Sequence, residues 1–237
     1  MLNGQPFQLD TIRNKLTLCH KQFFSFYCEG CGRIYSVPYH CDLMICEKCG
    51  KRRFIKLKKR YLPLLKKYHN GLSFLTLTWK KGTSKRNEIA KRHRQTRRLI
   101  RKYFKAGIYV FEGLAQHIHA IVLGRFVDKR KISKSWERMT KHSKIIRIKR
   151  CNVYTLNYLL KYISKSPSFD SDEEMLEYLR FWYKRRRVSA CGLFYNKGLI
   201  VKFRLECICG CSLTFLGICE IPYDKPVYRE WIYKQKL

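Results

Sequence analysis

Two patterns of apolar and polar positions divide the chain into strands and helices. Strict alternation of β-branched and aromatic residues over 72–79 predicts a strand with Phe74, Thr76 and Thr78 on one face. The same reasoning predicts three further strands, at 108–112, 117–123 and 145–150. Apolar residues at helical spacing predict five helices, at 51–69, 84–105, 131–143, 152–166 and 170–187. This order predicts an α+β fold, in which a central antiparallel sheet carries flanking helices.

Candidate metal ligands lie on the second and third of these strands. The four residues between the two strands are few enough to close a hairpin, which places Glu112 directly across from His117. Alternation places His119 on the same face as His117, so a carboxylate and two imidazoles converge. Such a set leaves open positions for water and phosphate oxygens, which suits a catalytic divalent ion. A histidine pair at this spacing is more often a half-exposed polar pair, and the facing Glu112 favours the metal interpretation.

A doubled phrase of tyrosine and lysine marks the fourth predicted helix. Tyr158-Leu-Leu-Lys161 is followed directly by Tyr162-Ile-Ser-Lys165. Positions four apart share a helix face, so the two phenols are expected side by side, each with a lysine that can offset phosphate charge. The alternative is a packing stripe formed by Tyr154, Tyr158 and Tyr162. The repeated lysine spacing and the upstream metal ligands favour catalytic roles for the two tyrosines and the two lysines.

Two pairs of cysteines predict a structural zinc site. Each pair spaces its thiols two residues apart, and a glycine behind the second thiol permits a tight turn around the ion. The predicted ligands are Cys28, Cys31, Cys46 and Cys49. Alternative ligands lie close to them in the sequence, at Cys19, His20, His40 and Cys41. A second metal site, of irregular spacing, is a further candidate at Cys207, Cys209, Cys211 and Cys219.

The charge balance indicates the class of partner. Fifty-one Lys and Arg against 17 Asp and Glu give a net charge of +34, which a compact fold tolerates best when a polyanion supplies counter-charge. Basic stretches at 50–71 and 80–105 also contain aromatic residues, which favours nucleic acid over a merely solvated helix face. No segment resembles a secretion signal or a membrane span, so we expect no membrane partner and reduced thiols in the cytoplasm.

Three units are predicted along the chain. Residues 1–50 are expected to form a small zinc-ribbon-like module that its metal holds together. Residues 51–187 form the predicted core, which contains the histidines and the tyrosines. Residues 188–237 form a predicted β-rich extension, with a hairpin that turns at 196–198.

Three motifs in this order resemble the HUH superfamily of endonucleases, which start rolling-circle replication of small plasmids and single-stranded DNA viruses. The strand at 74–78 reads Phe-Leu-Thr-Leu-Thr, and His117-Ile-His119 follows with the carboxylate of Glu112 before it. The helix with Tyr-x-x-Lys supplies the third motif. Its doubled tyrosine resembles the two-tyrosine branch, which includes gene A proteins of microviruses, and the match covers about residues 72–166.

The resemblance implies both a fold and a chemistry. The family fold is similar to the RNA-recognition-motif arrangement of a ferredoxin-like sandwich, and here the tyrosine helix is expected on the histidine face with the basic helices behind. Glu112, His117 and His119 are then expected to hold Mg²⁺ or Mn²⁺. One tyrosine attacks single-stranded origin DNA, which gives a 5′-phosphotyrosyl ester and a free 3′-hydroxyl that primes synthesis. The second tyrosine performs the next transfer and joins strands at termination.

Tyr162 is expected to attack first. Leu159, three residues before it, fits the apolar position of the family better than Thr155 does before Tyr158. The sequence contains no Walker-type phosphate loop, so a helicase and a DNA polymerase of the host, plasmid or virus are expected partners. Two alternatives stay open: a two-tyrosine HUH transposase of the same chemistry, and a non-catalytic zinc-ribbon protein that binds nucleic acid and whose tyrosines only pack.

Overall fold

The computed structural model describes residues 8–80, 86–141, 143, 146–195 and 200–233. Its helices are α1 (Leu9–Leu18), α2 (Glu47–Lys67), α3 (Ile89–Tyr103), α4 (Lys129–Thr140), α5 (Thr155–Ser164) and α6 (Asp172–Trp182), with a 3₁₀ turn at Arg86–Glu88. Its strands are β1 (Phe23–Tyr27), β2 (Ile34–Pro38), β3 (Leu72–Thr78), β4 (Ala106–Glu112), β5 (His117–Leu123), β6 (Ile146–Arg150), β7 (Val188–Gly192), β8 (Ile200–Glu206), β9 (Thr214–Cys219) and β10 (Val227–Tyr233). None of the described helices is long and apolar enough to cross a membrane.

A five-stranded sheet forms the centre of the molecule. Its strand order is β6-β3-β5-β4-β7, and every neighbouring pair is antiparallel. The predicted α+β class, a central antiparallel sheet with flanking helices, is therefore confirmed. The first and last strands in this order are edges, and the two histidines lie on the central strand β5.

The registers of β3, β4 and β5 set which side chains meet. Thr76 lies opposite His119 and Thr78 lies opposite His117. On the other side of β5, Glu112 lies opposite His117, as the short connection predicted. Because directly paired residues point to the same face of a sheet, these five side chains share one face.

Each face of the sheet is covered by a different group of helices. Ile118, Ala120 and Val122 point to a core with α3, α4 and α6. The opposite face, which carries the histidines, packs against α2 and α5. The tyrosine helix thus lies where it was expected, but only one of the basic helices, α3, lies behind the sheet. The other, α2, packs beside α5 because it buries Tyr61 and Leu65 in the same core.

The strand pairings correct the predicted domain boundaries. The strand β7, assigned to the extension over 188–237, is the fifth strand of the central sheet. The predicted module over 1–50 is not separate either, because β9 joins β1 and β2 in a three-stranded sheet and α2 begins inside the module at Glu47. The turn of the predicted hairpin, 196–198, lies outside the described residues, and β8 pairs with β10 rather than with β7.

Candidate active site and metal centres

The carboxylate of Glu112 and the imidazole of His119 are hydrogen-bonded to each other at the β4–β5 hairpin. Glu112 Oε2 lies 2.8 Å from Nε2 of His119, although His117 is its direct partner across the strands. The His119 side chain is about nine-tenths buried and Glu112 is 39% exposed, so the carboxylate stands at the open side of the pair. The three side chains therefore share one face of the sheet, and Glu112 is turned toward His119.

The hydroxyls of β3 orient both imidazole rings. Thr76 Oγ1 lies 3.3 Å from Nδ1 of His119, and Thr78 Oγ1 lies 3.2 Å from Nδ1 of His117. A hydrogen bond at one ring nitrogen fixes the ring and leaves the other nitrogen for a metal ion. Sequence reasoning placed both threonines on one face but did not connect them with the histidines.

Glu112, His117 and His119 supply donor atoms of the kinds that bind metal ions. Two imidazole nitrogens and a carboxylate can together hold a divalent ion. Within the described residues, however, the ligand atoms of Glu112, His117 and His119 do not all lie within 4.8 Å of one another.

Both tyrosines of the doubled phrase lie at this site. The ring of Tyr162 stacks on His119, with centroids 4.3 Å apart and planes at 9°. Its hydroxyl donates to the Tyr158 hydroxyl at 2.8 Å, which confirms that the two phenols share a helix face. Tyr158 is 45% exposed and packs edge-on against Phe74. A phenol and an imidazole of the candidate metal set are thus in direct contact.

Burial shifts the protonation equilibria of the contacting rings. Desolvation lowers the pKa of His119, and its hydrogen bond to Glu112 offsets part of that shift. Desolvation also raises the pKa of Tyr162, and the hydrogen bond to Tyr158 and the Glu112 charge add to the effect. Without an added cation, both the imidazole and the phenol therefore favour their neutral forms.

The two predicted lysines differ in position. Lys161 Nζ lies 3.9 Å from the ring centroid of Tyr158 and 5.2 Å from that of Tyr162, so it is close to both phenols. Lys165 lies one residue past the end of α5, where the backbone is extended. Its amide nonetheless makes the last helical hydrogen bond of α5, to the main-chain oxygen of Lys161 at 2.9 Å.

Arg187, which sequence reasoning missed, links the tyrosine helix to the sheet. Its guanidinium donates to the main-chain oxygen of Tyr162 at 2.6 Å, and its own carbonyl accepts from the amide of Phe111 at 2.9 Å. Only 7% of the residue is exposed. Tyr162 lies in the last turn of α5, where carbonyls lack helical partners and a cation is favourable. Arg187 therefore ties Tyr162 to the strand that carries Glu112.

Four buried thiols around the start of α2 could hold one metal ion. This first thiol cluster consists of Cys19, Cys41, Cys46 and Cys49. Three of its sulfur pairs are 3.6 to 3.7 Å apart, close to the separation of about 3.8 Å that follows from tetrahedral Zn–S bonds of about 2.3 Å. The two histidines among the alternative ligands are hydrogen-bonded to each other instead, with Nε2 of His20 at 2.9 Å from Nδ1 of His40.

Four other thiols, from two segments that are far apart in the sequence, could hold a second ion. This second thiol cluster consists of Cys28, Cys31, Cys207 and Cys209. It lies between the β1–β2 turn and the β8–β9 connection, with sulfur pairs at 3.2 and 3.5 Å. Burial works to raise the pKa of the Cys207 thiol, but hydrogen bonds led by the Tyr35 hydroxyl lower it to about 6. A thiolate is the form that binds metal.

The predicted quartet is therefore wrong, because its two pairs belong to different clusters. Cys28 and Cys31 meet partners near the carboxyl end of the chain, whereas Cys46 and Cys49 meet Cys19 and an alternative ligand, Cys41. The candidate second site contributes two of its four cysteines. Cys211 and Cys219 lie outside both clusters within the described part of the chain, and the Cys219 thiol bonds main-chain oxygens.

Gly50 holds the first thiol cluster close to the tyrosine helix. The sequence predicts a tight turn at each glycine behind a cysteine pair. Of these two glycines, Gly32 has a left-handed φ of 70°, whereas Gly50 lies inside α2. A methyl group on Gly50 would stand 2.7 Å from the main-chain oxygen of Ser164 in α5. The absent side chain thus permits contact between α2 and the end of α5.

Gly50→Ala is expected to destabilise the protein although alanine favours helices. Overpacking against backbone costs about 1–3 kcal/mol, against a gain of about 1 kcal/mol in helix propensity. The free energy of unfolding should therefore fall, as measured by urea titration. Lys51→Ala, exposed and one residue on, is the control and should change it by less than about 0.5 kcal/mol. A Gly50→Ala variant more stable than the native chain would contradict the contact.

Comparisons with known proteins gave no relative. A scan against protein-family models, a search of curated proteins and a search of solved structures each found no match. Inference about function therefore rests on the motifs and on the contacts described above.

Proposed function

We propose that the protein is a metal-dependent endonuclease that nicks single-stranded origin DNA and remains joined to it through a tyrosine. The observation that carries the proposal is the stacking of Tyr162 on His119, which is bonded to Glu112. An ordinary packing stripe would bury its hydroxyls or expose them to water. Here the phenol lies instead against imidazole and carboxylate groups that suit a divalent ion.

Each residue of the site has a separate role in the proposed reaction. Glu112, His117 and His119 would hold Mg²⁺ or Mn²⁺, which would supply positive charge to polarise the scissile phosphate. The Tyr162 oxygen attacks phosphorus and forms the new P–O bond while the bond from phosphorus to the 3′-oxygen breaks. The phenolic proton passes to water, and the departing 3′-oxygen takes a proton from water. The products are a 5′-phosphotyrosyl ester and a free 3′-hydroxyl.

The second phenol suits a later transfer. Tyr158 accepts the hydrogen bond of Tyr162 and is more exposed, so a new strand can reach it while the first tyrosine is esterified. Lys161, over both rings, offsets the charge of a phosphate or a phenolate. Alternating attack by the two tyrosines would cut and rejoin strands, which is the chemistry of rolling-circle initiation and termination.

The remaining features suit the same role. The net charge of +34 matches a DNA substrate, and the two thiol clusters are proposed to hold structural zinc. A helicase and a DNA polymerase would act with the protein in the cytoplasm after the nick. A transposase would share the nicking step and differ only in the fate of the strand.

Covalent capture tests the proposal. The protein is incubated with Mn²⁺ and a labelled pool of random single-stranded oligonucleotides, then boiled in detergent and separated on a denaturing gel. We expect a labelled band at the mass of protein plus DNA, which disappears in the Tyr158→Phe, Tyr162→Phe double variant. Cys219→Ser, outside both thiol clusters within the described residues and on β9, serves as a folded control and should retain the band.

A protein that binds the pool but gives no such band would be a non-catalytic nucleic-acid binder. A band that survives the double variant would place the covalent bond on another residue. Either result would overturn the proposed chemistry.

A further inference from the structure

The catalytic face of the sheet is open at its edge strand. In the register of β3 and β6, Arg147 lies opposite Thr76 and Lys149 lies opposite Phe74. Both cations therefore share the face of His119, and both are exposed. The tyrosine helix covers β4 and β5 and reaches β3 through the contact of Tyr158 with Phe74. The edge strand thus presents two cations directly beside the site.

A groove continues this basic edge at the end of β6. It has a volume of about 880 Å³ and lies between the β5–α4 connection and the residues around β3. Its charged lining residues are Lys105, Arg125 and Arg150, and no Asp or Glu lines it. Arg150 follows Lys149 directly, so about 10 Å of strand separates the groove from Arg147. Because side chains alternate along a strand, Arg150 points to the opposite face from Arg147 and Lys149, so DNA that contacts all three passes round the end of β6.

An exposed aromatic ring stands in the groove. Phe126 is 52% exposed, and the Arg150 guanidinium lies 5.9 Å from its ring centroid. A large exposed ring beside a cation is typical of surfaces on which unpaired bases stack while the cations contact phosphates. A duplex offers phosphates as well, but its bases are already stacked and cannot lie on the ring.

The cations of this surface lack acidic partners. Arg125, Arg147, Lys149 and Arg150 form no ion pair with a carboxylate in the part of the chain that the structure describes. Their charge is therefore free to meet phosphate oxygens. Glu112, the acidic residue of the candidate metal set, lies on β4, which is on the other side of β5 from the edge strand β6.

We propose that single-stranded DNA runs from the tyrosine site along β6 into this groove, with its phosphates on Arg147, Lys149, Arg125 and Arg150 and a base on Phe126. This binding track consists of those five residues. The inference deepens the proposed function, since it names how the same site receives its strand. It concerns binding alone, so it can be measured without any cleavage.

Equilibrium binding to a labelled oligothymidylate, followed by fluorescence anisotropy without added divalent ion, tests the track. Arg147→Ala, Lys149→Ala should weaken binding and make its salt dependence shallower by about 1.4 in the log–log slope, the value for two phosphate contacts on a single strand. Phe126→Ala should weaken binding about 5- to 150-fold, the effect of losing one stacked base. The Phe126→Ala effect should be absent with a duplex of equal length.

A matched pair of substitutions separates the track from the general charge. Arg94→Ala, Arg98→Ala also removes two exposed cations, but on α3, which packs on the face of the sheet opposite the histidines. It should leave the slope nearly unchanged. Thermal melting of each variant checks that it is folded.

Equal losses in the α3 pair and the β6 pair would overturn the track, as would an unchanged affinity in Phe126→Ala. Failure of the proposed function looks different. In that case the native protein binds oligothymidylate with the expected dependence on the track but forms no covalent band with any strand.

Discussion

Tyr162→Phe is expected to slow formation of the covalent adduct by on the order of 10⁴-fold or more, as removal of an enzyme nucleophile generally does. The substitution removes one oxygen and keeps the ring, so the stacking on His119 at 4.3 Å should persist. Initial rates of adduct formation with Mn²⁺ and a captured oligonucleotide give the measurement. Peptide mass spectrometry of the native adduct should place the phosphodiester on Tyr162.

Tyr158→Phe is the matched control on the same helix face. It removes the acceptor of the 2.8 Å hydrogen bond from Tyr162, and a neutral hydrogen bond contributes about 1 kcal/mol. The initial rate should therefore fall by no more than about tenfold. A reversed order, with Tyr158→Phe inactive and Tyr162→Phe nearly normal, would assign first attack to the more exposed phenol.

Two zinc ions per chain are expected, each lost with its own thiol cluster. Cys49→Ser should leave one ion and Cys207→Ser should leave the other, whereas Cys151→Ser should retain both. Inductively coupled plasma mass spectrometry of the purified variants gives the counts. The outcome that contradicts the clusters is loss of the same single ion in both variants.

The two variants should also differ in stability. Structural zinc contributes apparent free energies of about 10–16 kcal/mol in small domains, comparable to the whole stability of a typical fold. The first thiol cluster lies at the start of α2, which packs on α5 and the central sheet, so Cys49→Ser should strongly destabilise the folded protein. Cys207→Ser should release mainly the β1–β2–β9 sheet, because its cluster joins that sheet to the β8–β9 connection. Urea unfolding, followed by circular dichroism, distinguishes the two.

Local periodicity sufficed to predict most of the geometry of the candidate site. The alternation around His117 and His119 and the four-residue spacing of the tyrosines each depend on a single element whose geometry is fixed. The short hairpin then brought Glu112 across from His117. Contacts within one helix or one hairpin can therefore be predicted from spacing alone.

Contacts between distant segments could not be predicted in this way. The two cysteine pairs have identical spacing, and nothing local distinguishes partners at Cys207 and Cys209 from partners nearby. Arg187 likewise reaches Tyr162 only because β7 joins the central sheet. The sequence does not show that β7 pairs with β4, because an edge strand can pair with any exposed strand. The contact of Arg187 with Tyr162 depends on that pairing and could not be predicted.

The sequence separation within the second thiol cluster has a consequence for biosynthesis. Cys28 and Cys209 are 181 positions apart, while the first thiol cluster lies within residues 19–49. At about 5–20 residues per second, a ribosome needs roughly 10–35 s to supply the missing pair. The first thiol cluster is therefore complete early in synthesis, whereas the second must wait for Cys207 and Cys209. A prematurely terminated product would leave two thiols unligated and open to oxidation.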